Sequence, residues 1–185
     1  MPVRLIVTLN GVDRRGIVAG LAERARACGA SWQESRFGRL AGRFAGIVRL
    51  DVPEASLDAL ERSIRELATA NLHVTVERAD SESVERAESE SASNRRRLAL
   101  ELVGQDRPGI VRDVSSVLAR HGVNIEELET EVESASMSGE LLFHARAALA
   151  LPEDADLEAL RGDLEQLANE LMVDLHIDAE RGSDE

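Results

Sequence analysis

Asp106-Arg107-Pro108-Gly109-Ile110-Val111 has the composition of a tight loop opening a helix, and Asp13-Arg14-Arg15-Gly16-Ile17-Val18 carries the same pattern 93 residues earlier. The same shift superimposes Leu5 on Leu98, Leu9 on Leu102, Gly11 on Gly104 and Gly29 on Gly122. Further along, the offset grows to 99 at Phe44 with Phe143 and Pro53 with Pro152, then to 100 at Leu60 with Leu160. The second copy therefore holds a few extra residues, and insertions of that kind belong to surface loops. A period this long exceeds the roughly 20–50 residues of a solenoid repeat, so the duplicated unit is a domain.

Working outward from the two loops gives the rest of each copy. Residues 3–9 and 98–103 alternate apolar with less apolar positions, which predicts a first strand. After the loop, Ile17, Val18, Leu21, Ala22 and Ala25 recur at helical spacing, as do Ile110, Val111, Val114, Val117 and Leu118. Each helix is expected to stop at a glycine, Gly29 or Gly122. Two extended segments follow, around 30–38 and 43–52 in the first copy and 123–133 and 140–151 in the second. Turn-forming stretches at 38–42 and 134–139 join them into hairpins. Pro53 and Pro152 then open acidic helices, one carrying Leu57, Leu60, Ile64 and Leu67, the other Leu157, Leu160, Leu164, Leu167 and Leu171. Strands at 72–76 and 173–177 close the copies.

The order βαββαβ, read twice, predicts an α+β fold of two ferredoxin-like sandwiches, each a four-stranded antiparallel sheet with both helices on one face. Domains are expected at 1–79 and 96–180. Between them, 80–95 is rich in Ser and Glu with almost no bulky apolar residue, too little to offset its ordering entropy, so it reads as a linker. The last residues, 181–185, read as a disordered tail.

Composition narrows the function. Aromatics are only 2% of the 185 residues, so Val, Leu, Ile and Ala must fill the cores. A formal charge of −13 argues against phosphate backbones and anionic membranes, and Arg95-Arg96-Arg97 reads as a solvated edge. No run approaches the ~18 apolar residues of a membrane helix, and Met1-Pro2-Val3-Arg4 leads directly into a strand instead of a signal-peptide core. Cys28 is the single cysteine, which excludes an internal disulfide and, with the rest, points to the cytoplasm. Cys28 has no His or Lys motif beside it to activate a thiolate. His73, His121, His144 and His176 show no spacing that gathers metal ligands, so neither a metal nor a cofactor is expected. Trp32 is expected to fill core or inter-domain space and to need one hydrogen-bond partner.

The Asp-Arg-Pro-Gly-Ile-Val loop after a first strand, Gly122-Val123-Asn124-Ile125 after the first helix, and the βαββαβ order together resemble an ACT domain, present twice. A pair with no enzyme attached further resembles the tandem ACT proteins of the glycine cleavage system transcriptional repressor family. The resemblance implies a non-enzymatic regulatory protein that senses an amino acid, glycine being one candidate. It implies effectors held between ACT domains, by the loop of one and the residue opening the second strand of its neighbour. On this chain that points to Asp106, Gly109, Ile110 and Asn124, and in the first copy to Asp13, Gly16, Ile17 and Ser31.

Physical chemistry supports the assignment. A glycine lets backbone approach a ligand closely, and free N–H groups at a helix start favour a carboxylate. Asp106 has the chemistry to accept from an α-ammonium, and the Asn124 amide to serve either end of a zwitterion. Structural roles compete: Asp106 complements a helix N-terminus, Gly109 suits a tight turn, and Asn124 suits the turn into a strand. The first copy has Arg15 for the proline and Ser31 for the asparagine, so the second copy is expected to keep the fuller site.

With no helix-turn-helix signature and an acidic surface, repression would act through a protein partner, a transcription factor or an enzyme, and not through DNA. A homodimer is expected. The alternative is a regulatory subunit of an amino-acid metabolic enzyme. Catalysis is not expected: the acylphosphatase loop that this fold can carry is absent, and so is the Cys-x-x-Cys of metal chaperones.

Overall fold

Alternation becomes strand and the 3.6-residue period becomes helix in both copies. The computed structural model describes residues 2–79, 96–134 and 141–179. In the first copy the elements are β1 (Pro2–Val12), α1 (Ile17–Ala27), β2 (Ser31–Leu40), β3 (Arg43–Pro53), a 3-10 turn (Glu54–Ser56), α2 (Leu57–Arg65) and β4 (Leu72–Ala79). In the second they are β5 (Arg96–Gln105), α3 (Ile110–Arg120), β6 (Asn124–Ser134), β7 (Leu141–Leu151), α4 (Leu157–Leu171) and β8 (Val173–Ala179). The two sheets have the orders β2-β3-β1-β4 and β6-β7-β5-β8, antiparallel throughout.

The chain divides into two units between Ser89 and Glu90. That boundary, the expected linker at 80–95 and the expected tail at 181–185 lie outside the described residues, as does most of the second hairpin turn.

Each unit buries one sheet face under its two helices. In the first, Leu5, Val7 and Leu9 of β1 and Val48, Leu50 and Val52 of β3 meet Ile17 and Leu21 of α1 and Leu60 and Ile64 of α2. The second repeats this with Leu98, Leu100 and Leu102 against Val114, Leu118, Leu160 and Leu164. The aligned glycines have a packing reason. A Cβ on Gly11 would collide with the Asn71 carbonyl, and one on Gly104 with the Val173 side chain, so these positions let the central strand approach the segment that opens the last strand.

Both first helices end as their sequences predict. Gly29 and Gly122 each sit at φ 68°, and Ala30 N–H donates to Ala25 O at 2.9 Å, matched by Val123 N–H to Leu118 O at 3.0 Å.

Several boundaries move. The turn expected at 38–42 shrinks to Ala41-Gly42, at φ 47° and 74°, as a two-residue hairpin turn requires. The prolines do not open the second helices: Pro53 is the last residue of β3 and Pro152 follows β7. Helix α2 starts after the 3-10 turn, and α4 starts where Asp156 Oδ1 accepts from Glu158 N–H at 3.0 Å and Ala159 N–H at 3.1 Å. In the second copy β6 ends at Ser134, paired with Leu141, so the extra residues fall in that hairpin connection.

Candidate functional site

In the first unit the loop is held from both sides. Asp13 N–H donates to Gly42 O at 2.9 Å, which ties the loop to the β2–β3 turn. Gly16, at φ 90° and ψ 0°, is left-handed and caps α1, a conformation that disfavours any residue with a Cβ. No side chain caps α1 and no acidic residue occupies its first turn, so its leading N–H groups keep their partial positive charge.

Against this loop lies an open groove of about 380 Å³, floored by Ile17, Phe37 and Phe44 and rimmed by Asp13 and Arg39. The Arg39 Nε to Asp13 Oδ2 distance is 2.8 Å; Arg39 is 72% exposed and Asp13 only 24%. Phe37 stacks on Phe44 with ring centroids 5.5 Å apart and leans on Trp32 at 6.3 Å. Trp32 satisfies its indole by donating to Ser35 Oγ at 3.2 Å. Opposite charges beside an apolar floor match a zwitterion with an apolar side chain in chemistry, and the volume is within the roughly 300–1,000 Å³ of small-molecule sites.

The second unit keeps the loop and changes its surroundings. Asp106 N–H donates to Leu141 O at 2.9 Å, and Gly109 is again left-handed, at φ 104°. The register places Val132 opposite Phe143 where Arg39 stands opposite Phe44, so Asp106 has no ion-pair partner among the described residues. Asp113 occupies the first turn of α3, where the first copy has Gly20. Its carboxylate takes 2.8 and 2.7 Å contacts from Arg112 and offsets the positive end of that helix. Sequence comparison of the loops alone ranks the second copy higher, yet the field at the helix start favours a carboxylate in the first.

Arg107, inside the second loop, donates from Nη2 to the Glu170 carbonyl at 3.2 Å at the end of α4. It braces the loop against the other helix.

Ser31 and Asn124, the expected contributors from the second strands, do not meet the loop of their own unit. Ser31 pairs with Asp51 and Asn124 with Ala150, whereas the loops pair with Gly42 and Leu141. Nine residues of strand separate those levels, about 30 Å at roughly 3.3 Å per residue. Within a unit the two halves of the expected site stand at opposite ends of the sheet.

Two residues of the groove, Phe37 and Arg39, escape sequence inspection. They reach the loop only through the β2–β3 register, and the single available signal, three of the four aromatics lying within residues 32–44, points to a core.

His121 caps α3 with Nε2 3.0 Å from Asp163 Oδ2, and half-buried Cys28 caps α1. His73, His144 and His176 lie on β4, β7 and β8, and among the described residues no three of His, Cys, Asp and Glu converge as metal ligands. No helix among those residues is long and apolar enough to cross a membrane, which says nothing of β-barrel proteins.

Comparison with known proteins gives the geometry a context. A family model described as ACT domain matches residues 3–77 and again 96–178. A UPF0237 protein of Methanopyrus kandleri is 34% identical over 84 residues, covering 45% of this chain and 88% of the relative. Among solved structures, an unknown protein from Galdieria sulphuraria is 26% identical with a TM-score of 0.83, covering 98% of this chain and all of that one. A structure provisionally named a glycine cleavage system transcriptional repressor has a TM-score of 0.65 at 15% identity, covering 96% and 97%. The last likeness is one of fold.

Proposed function

Because this chain belongs to the ACT domain family, carrying the domain twice, we propose that it is a non-enzymatic regulatory protein that senses a free amino acid through its two β-strand-to-helix loops. The observation that carries this reading is the groove at the Asp13–Ile17 loop, where Asp13 and Arg39 flank an apolar floor beside an uncapped helix start. A bound amino acid would open the Asp13–Arg39 pair, its α-carboxylate taking Arg39 and the N–H groups of α1, its α-ammonium taking Asp13, and its side chain lying over Phe37 and Phe44.

The second loop is the other candidate, through Asp106, Gly109 and Ile110, with Asn124 or Ser31 contributed by a neighbouring domain, in a homodimer for example. Binding energy spent on ordering such a shared site would favour one assembly over another, which is how a ligand changes contacts with a partner.

The partner is a protein, a transcription factor or an enzyme of the cytoplasm. The charge of −13 disfavours operator DNA as the direct target. Glycine is one effector to test, on the strength of the tandem arrangement shared with the glycine cleavage repressor fold, beside the amino acids with apolar side chains that the Phe37–Phe44 floor favours.

A thermal-shift screen of the full chain against the twenty amino acids tests the reading. A ligand at 100 times its Kd adds about 2.7 kcal/mol to native-state stability, so an effector at millimolar concentration should raise Tm by several degrees. The rise should shrink in Arg39→Met or Asp106→Ala, according to the loop used. No shift with any amino acid would leave the protein a scaffold without a sensor.

A further inference from the structure

The seam between the two helices is filled differently in the two copies. In the first unit Arg24 of α1 reaches across to α2, its Nε donating to the Ser63 carbonyl and its Nη1 to the Gly20 carbonyl, both at 2.9 Å. The guanidinium lies beside Gly20, where a Cβ would stand 3.4 Å from Leu67 Cδ2 and 3.6 Å from Arg24 Nη1. A planar fork on a long apolar stem suits this seat, because the stem covers the floor while the N–H groups reach acceptors on both helices.

The offsets that align the copies put Val117 of α3 in the place of Arg24 and Asp113 in that of Gly20, with Asp163 and Leu167 of α4 for Ser63 and Leu67. Valine is too short to cross the seam. What remains is an open groove of about 510 Å³, floored by Val117 and Leu167, with Asp113, Asp163 and Glu170 on its walls beside Arg120.

Each of these carboxylates meets its neighbours through one oxygen. Arg112 binds Asp113 Oδ1 at 2.8 and 2.7 Å, His121 and Arg120 approach Asp163 Oδ2 at 3.0 and 3.5 Å, and Gln166 donates to Glu170 Oε1 at 3.0 Å. Among the described residues the second oxygen of each is left for an incoming N–H. The groove thus keeps the apolar floor and the acceptors on two helices, adds negative charge, and lacks the arginine.

We propose that the α3–α4 groove seats an arginine side chain of a partner protein, in the place that Arg24 fills in the first unit. The stem covers Val117 and Leu167, and the guanidinium takes carboxylate oxygens from both helices. A net charge of −13 draws such a cationic partner. The groove also adjoins the second loop, since Arg107 donates to the Glu170 carbonyl at 3.2 Å and Asp113 Oδ2 lies 3.5 Å from a Cβ built on Gly109. A partner seated here touches the groups that brace that loop.

The proposal rests on the regulatory reading only for the existence of a protein partner. Its probe is arginine blocked at both ends, N-acetyl-arginine N-methylamide, titrated into the full chain while the amides of Asp113, Val117, Asp163 and Leu167 are followed by two-dimensional NMR. With no free carboxylate or ammonium the probe does not test the loops, so the two ideas fail separately. Saturable shifts at these amides, weakened by salt, are expected, and the blocked citrulline analogue, alike in shape but uncharged, should bind at least about tenfold more weakly. Val117→Arg should seat its own arginine and abolish the shifts. If that variant does not fold, Glu170→Gln, at an exposed position, serves instead and should weaken binding with circular dichroism retained. No shift at these amides, equal binding of the citrulline analogue, or binding unchanged in the variant used would each overturn the proposal. Agmatine, a guanidinium without the peptide backbone, should bind no better than the probe; binding more than about tenfold tighter would assign the groove to a free small molecule. A probe that binds only by dissociating a dimer of the chain, seen by light scattering, would assign it to a second copy and equally overturn the partner.

Discussion

Gly16 and Gly109 stand at the two loops with φ of 90° and 104°, and the space around each is open, Asp113 Oδ2 being the nearest atom to a Cβ on Gly109 at 3.5 Å. Sterics at these sites are therefore those of the backbone alone. Gly16→Ala or Gly109→Ala should lower stability by about 1–2 kcal/mol in urea unfolding, without loss of secondary structure. Met172 is the converse case: it occupies the left-handed position that ends α4, at φ 52°, with its side chain exposed. Met172→Gly should raise stability by up to about 1 kcal/mol, read from the same unfolding curves. Glycines with such duties are legible in sequence because only glycine tolerates the conformation freely. Arg39 is not, since its pairing with Asp13 depends on a hairpin register that no local pattern encodes.

At the scale of elements, α2 is fastened to β4 by charge as well as by its apolar face. Glu61 is buried, accepts from Arg78 Nε, and lies 3.2 Å from Arg65, while Arg78 Nη2 reaches Asp58 at 2.8 Å. The Arg78 hydrogen bond holds the Glu61 carboxyl below its ordinary value of 4.5, against the opposing effect of burial. A depressed carboxyl stabilises the fold above its unfolded pKa, and the contribution is lost as pH falls through the lower folded pKa. The first unit should therefore weaken as pH drops below about 4.5. Trp32, the only tryptophan, reports on that unit by fluorescence. Arg78→Met should lower its urea midpoint at pH 7 and flatten the acid dependence, whereas an unchanged pH profile would show that the ion pair is not coupled to folding. Amphipathic periodicity was enough to locate α2 and α4. Their starts are not legible from proline, which marks the exit from a strand as readily as the first turn of a helix; the 3-10 turn and the Asp156 cap decide the matter.

At the scale of the molecule, duplication explains why one loop device occurs twice, and the differences between the copies explain why equal duties are not expected. The first unit has a helix start free of acid and a groove with opposed charges; the second has a solvent-facing Asp106, an Asp113 in its first helical turn and a glutamate-lined edge. The fold, the duplication and the loops were readable because they rest on periodicity and glycine. What distinguishes the copies was not, because it rests on which strand residues come to face the loops. With a charge of −13, the chain should show no appreciable binding to duplex DNA at physiological salt in a mobility-shift assay. The most direct test of amino-acid sensing follows the backbone amides of Gly16, Ile17, Gly109 and Ile110 by two-dimensional NMR while an amino acid is titrated into the full chain. Saturable shifts at one or both loops, reduced by Arg39→Met or Asp106→Ala, are the expected result; unmoved loop amides with every amino acid at millimolar concentration would contradict it.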